Sequence, residues 1–161
     1  MNSYFVESLE KCENYKDIFD LVKKSVRKAI GLHRVGLLLY LKDLPPNIGA
    51  YYQVGSNGIV LNRLLVNIMG RYFLTKTEFN SFIFSLLLHE YLHSLGFLDE
   101  ENVRRLVYEI SMKTFGVDHP ATRIALGPPK VNISSLGSRG FGYNDFEIVK
   151  DFEKIEYEYI V

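Results

Sequence analysis

The chain has 161 residues, 47% of them apolar and 24% charged, which is enough to bury one hydrophobic core and points to a single domain. Nineteen basic residues balance nineteen acidic ones, so the whole chain lacks the net positive charge that gathers nucleic acid or anionic membranes, and no nucleic-acid partner is expected. Cys12 is the sole cysteine, which excludes an intramolecular disulfide and leaves His, Asp and Glu to build any metal site.

In chain order, Phe5, Leu9, Cys12, Ile18, Leu21, Val22, Val26 and Ala29 recur at three- and four-residue steps among charges, predicting one or two amphipathic helices between Tyr4 and Ile30. The segment begins with acidic residues and no basic, then apolar, leader pattern. With the longest apolar stretch, Phe82 to Leu88, far below the ~20 residues of a membrane span, a soluble cytoplasmic protein is expected. "RVGLLLYL", Arg34 to Leu41, reads as a buried strand stopped by Pro45 and Pro46. "YYQVGSNGIVL" reads as a hairpin whose arms flank the turn-forming "GSNG".

A helix from about Glu78 to Leu95 follows, with Thr75 or Thr77 as N-cap and Gly96 where a left-handed C-terminal cap belongs. Asp99 starts the next helix, which Gly116 ends, and Asp118 opens a short helix closed by Gly127. The domain is taken as residues 1–130. Residues 131–143 read as a Gly/Ser-rich flexible connector, and residues 144–161 as an acidic amphipathic helical tail with Phe146, Val149, Phe152 and Ile155 on one side.

The chemistry is concentrated in "SLLLHEYLHSLGFLDE". His89 and His93 lie at i and i+4, so their imidazoles share one helix face and can converge on one zinc ion. Glu90 stands about 100° around the helix, beside the ion, where it can take a proton from water held there and return it to a leaving amine. Ser81 to Leu88 is almost uniformly apolar, and unpartnered imidazoles in such a buried segment would be costly.

"HEYLH" resembles the HExxH hallmark of the zincin metallopeptidases, and the small size with the tight "HSLGFLDE" turn is most similar to the minigluzincins. The resemblance implies an α+β zincin-like domain: an N-terminal helix, a small mixed sheet, an active-site helix, a backing helix and a C-terminal helical tail able to hold the enzyme latent. It also implies an edge strand that binds an extended peptide or protein substrate, a place that "YYQVGSNGIVLN" suits. Asp99, six residues after His93, fits a metzincin-like HExxHxxGxxD third ligand, with capping of the next helix as its other reading. His119 is the alternative ligand, provided the intervening helix does not carry it past the ion. A gluzincin would instead use a glutamate of that helix, of which Glu100 is placed better than Glu101 or Glu109. Tyr51, Tyr52 and Tyr91 are candidates to bind substrate or a developing oxyanion. His33 reads as a surface residue.

The expected function is therefore a zinc-dependent peptidase. A similar HxxxHxxGxxH spacing in a family of small RNA-processing metalloproteins keeps another metal-dependent hydrolase open, although a glycine stands there in place of Glu90. A non-catalytic zinc-binding or regulatory protein acting through its acidic tail is the alternative outside enzymes.

Overall fold

The computed structural model describes residues 3–128 and 145–153. Its helices are α1 (Ser3–Lys11), α2 (Tyr15–Ile30), α3 (Arg63–Tyr72), α4 (Lys76–Ser94), α5 (Glu100–Phe115) and α6 (Pro120–Leu126), and its strands are β1 (Leu38–Lys42), β2 (Ala50–Tyr52), β3 (Gly58–Asn62) and β4 (Phe146–Ile148). The class is α+β, as the element pattern predicts, with one small mixed sheet in the order β2-β3-β1-β4.

The hairpin is present: β2 runs antiparallel to β3 with Tyr51 opposite Val60. β3 then fills the slot beside β1 in parallel register, Leu39 opposite Ile59 and Leu41 opposite Leu61. Leu39, Ile59 and Leu61 turn one face of the sheet into the core, where they are fully buried. Against that face lies α4, apolar on every side, which touches every other helix as well as β2 and β3. Its start is a reciprocal cap: Thr75 Oγ1 accepts from the Glu78 amide at 3.1 Å and donates to the Glu78 carboxylate at 2.9 Å. Asn80, buried on α4, donates to the carbonyls of Leu9 and Cys12 and so pins the end of α1.

Three expectations are corrected. Helix α3 has no counterpart in the sequence reading, because Asn62 closes a strand and opens a helix in one residue. Its side-chain oxygen accepts from the amides of Leu44 (3.1 Å) and Leu65 (3.4 Å), and its amide group donates to the carbonyls of Leu44, Pro45 and Ile48. The helical tail is also not what forms: Phe146–Ile148 is a strand that pairs antiparallel with the free edge of β1. Asp151 then adopts a left-handed φ of 57°, which no helix accommodates. Backbone pairing with an open edge outweighs the 3.6-residue pattern. The expected connector, residues 131–143, and the last eight residues of the tail lie outside the described residues. The short helix is capped by His119 rather than Asp118, with Pro120 in its first turn.

The segment after β4 is anchored in the core. Phe152 stacks on Phe19 with ring centroids 4.3 Å apart, and Glu153 accepts from the Gly36 and Leu37 amides and pairs with Lys23 at 3.1 Å. Phe152 is 2% exposed, so Phe152→Ala should remove about 3 kcal/mol of stability, measured by urea unfolding. A change within a few tenths of a kcal/mol would mean that this segment is only loosely attached.

Candidate functional site

The candidate site is assembled by a single tight turn. Leu95 closes α4 with its amide on the Tyr91 and Leu92 carbonyls, and Gly96, at φ 107°, donates to the His93 carbonyl at 3.0 Å. A side chain is disfavoured at that φ, which is why glycine stands there. The reversal carries the Phe97 amide back to the Leu92 carbonyl and aims the Phe97 carbonyl at His93, whose Nδ1 donates to it at 2.7 Å. That bond commits the Nδ1 proton and leaves Nε2 facing the cavity.

Three residues later Glu100 opens α5 directly over the two histidines. Its carboxylate oxygens lie 3.0 Å from His89 Nε2 and 2.6 Å from His93 Nε2. Ligand atoms of His89, Glu90 and His93 also lie within 4.8 Å of one another, close enough for one ion. Both imidazoles thus face the Glu100 carboxylate, and Glu90 lies within reach of the same two rings.

The electrostatics divide these groups into different states. Burial pulls His89 below the ordinary imidazole range against the opposing pull of Glu100, which favours the neutral ring a metal needs. Burial pushes the Glu100 carboxyl up, but the two histidines outweigh it and hold it below the usual range, so it is ionised. Glu90 is 4% exposed; burial raises its pKa from 4.5 to about 7, and its Oε2 has no hydrogen-bond partner among the described residues. An ionised carboxylate, two imidazole nitrogens and an orphaned oxygen beside them are a donor set that fits a divalent cation such as zinc.

The site opens into a cavity of about 940 Å³. Gly49 and the β2 residues Ala50, Tyr51 and Tyr52 form one wall; α3, α4, α5, the end of α6 and the adjoining loops supply the rest. Gly49 lets this wall approach α4 closely: a Cβ there would stand 3.0 Å from a Leu86 methyl, which would have to give by a few tenths of an ångström. Arg34 holds the far end of the wall, donating to Tyr52 Oη, the Ser94 carbonyl and the Ser56 carbonyl.

The residues singled out in the sequence separate here. His89, Glu90, His93, Glu100, Tyr51 and Tyr52 line the cavity, whereas Asp99, His119 and Tyr91 do not. Asp99 caps α5 by accepting from the Asn102 amide at 3.2 Å. His119 caps α6 through Nδ1 and stacks on Phe115 with centroids 4.6 Å apart, and burial lowers its pKa. Tyr52 donates to the Ser56 carbonyl at 2.6 Å, while Tyr51 remains 39% exposed at the cavity. Tyr91 is fully buried with its hydroxyl on the Arg34 backbone, which removes it from the substrate candidates. His33 is exposed. Arg104, exposed and four residues from Glu100 on one face of α5, also lines the cavity.

No family model matches the chain, and no curated protein or solved structure matches it.

The buried carboxyl has a measurable signature in metal-free protein. Folding raises the Glu90 pKa from 4.5 to about 7, so the folded chain keeps a proton that the unfolded chain releases. The stability this contributes is complete below pH 4.5 and is lost as pH rises through 7, on the order of 3 kcal/mol. Glu90→Gln lacks this titration. Urea unfolding in chelator should show wild type losing stability relative to the variant from pH 4.5 to 8; a difference independent of pH would remove Glu90 from the buried position.

Proposed function

We propose that the protein is a zinc-dependent peptidase in which His89, His93 and Glu100 hold the ion and Glu90 moves the proton. The observation that carries this reading is the convergence of both Nε2 atoms on the Glu100 carboxylate, beside the unpartnered oxygen of Glu90. Assigning the two carboxylates follows from their environments. The ionised, half-exposed Glu100 suits a ligand, and the desolvated Glu90, with a pKa of about 7, can both take and return a proton at neutral pH. Asp99 and His119, each committed to a helix cap, are left out of the ligand set.

A zinc ion held here would supply a Lewis acid that polarises the scissile carbonyl. Glu90 then accepts a proton from the attacking water as the new C–O bond forms, and the proton passes to the departing nitrogen as the C–N bond breaks. One water is consumed per bond, with no change of oxidation state. The β2 edge, with Tyr51 exposed at the cavity, is the wall along which an extended peptide would lie. No described helix is long and apolar enough to cross a membrane.

Zinc content by elemental mass spectrometry, paired with peptide hydrolysis, tests the assignment. Wild type should carry about one zinc per chain, lost in His93→Ala and Glu100→Ala but kept in Asp99→Ala and His119→Ala. Glu90→Gln should keep the zinc and lose about 10²–10⁴-fold in hydrolysis. Zinc retained without Glu100 would overturn the ligand set, and wild-type turnover without Glu90 would overturn its role.

A further inference from the structure

The described charged residues lining the cavity are His89, Glu90, His93, Glu100 and Arg104. The first four belong to the candidate metal centre, so Arg104 is a cation left over. It forms no ion pair or hydrogen bond with a described residue, whereas the neighbouring Arg105 is engaged with Glu109 and Asn102. The remainder of the cavity is mainly apolar, built by Leu65, Met69, Phe82, Leu86, Val107 and Ile124. A lone guanidinium beside an apolar recess is a site for a planar anion attached to an apolar group.

Resting on the peptidase reading, we propose that Arg104 receives the C-terminal carboxylate of the substrate, whose last side chain occupies the apolar recess, so that the enzyme removes single apolar residues from free C-termini. The scale agrees with this. A terminal carboxylate stands one residue, roughly 3.3–3.6 Å, beyond the scissile carbonyl. Arg104 lies one helical turn from Glu100, a spacing of about 5–6 Å between Cβ atoms, which its long side chain spans readily. The same spacing lets it sit beside the ion without coordinating it. An acidic side chain next to the scissile bond would offer the same chemistry, but it would leave the apolar recess without an occupant.

The test combines binding and cleavage on zinc-loaded full-length protein. By calorimetry, N-acetyl-leucine should bind wild type about 10- to 100-fold more tightly than N-acetyl-leucinamide. That preference should vanish in Arg104→Gln, fall in Arg104→Lys and persist in Arg105→Gln, with zinc content unchanged in all three. In cleavage, an N-acylated peptide ending in free leucine should be hydrolysed, and its C-terminal amide should react at least tenfold more slowly. A preference that survives Arg104→Gln would overturn the proposal, because the carboxylate would then be going to the metal. Equal cleavage of acid and amide would also overturn it while leaving the peptidase reading intact, as would faster cleavage of an amidated peptide with Asp or Glu after the scissile bond. If the Arg104-dependent preference in binding is found but no peptide is cleaved, the carboxylate site stands and the peptidase reading fails.

Discussion

The hydrogen bond from His93 Nδ1 to the Phe97 carbonyl is the contact on which the site depends. It forms only because Gly96 takes a left-handed conformation that turns the chain back within four residues of the histidine. The consequence runs in two directions. Toward α4, it fixes which imidazole nitrogen faces the cavity. Toward α5, it sets where the next helix begins, and so puts Glu100 over both histidines while Asp99, one residue earlier, is spent on the cap.

Two helices of different character meet at that turn. α4 is buried on all sides, and its polar residues are tolerated only where they find partners: Asn80 on two carbonyls, His93 on another. Ser81 and Glu90 are the exceptions: among the described residues the Ser81 hydroxyl and one Glu90 oxygen find no partner, and the Glu90 pKa is displaced toward neutrality. Such a group costs stability and persists where something else requires it. α5 by contrast keeps one face in water, where the half-exposed Glu100 carboxylate stays ionised.

Helix α4 and the hairpin were legible because apolar content, cap residues and turn chemistry agreed over many positions. The same agreement located His89, Glu90 and His93. What the sequence left open was decided by distances that spacing does not encode. Asp99 fits a ligand and a cap equally well on paper, and only the geometry of the turn assigns it to the cap. β4 was misread because Phe146, Val149 and Phe152 satisfy a helical period, while the unpaired edge of β1 that captures them lies about a hundred residues earlier. Nothing local signals that pairing. α3 escaped because Asn62 serves strand, loop and helix together, and only Val66 and Met69 of that helix are buried.

The two ends of the sheet explain how one small domain can present a cleft. At one end β4 covers the edge of β1, and Phe152 and Glu153 lock that cover onto α2 and the start of β1. At the other end β2 is three residues long, its outer edge pairs with no strand among the described residues, and Arg34 fastens it to the end of α4. The described part of the tail is thus on the side of the sheet away from the cavity, where it contributes to stability rather than to closure. An open edge is a liability unless it is short or used. Here it is short, and it forms one wall of the recess of about 940 Å³ into which the candidate centre opens. The fold therefore covers the edge it does not need and leaves open the one that faces the candidate centre.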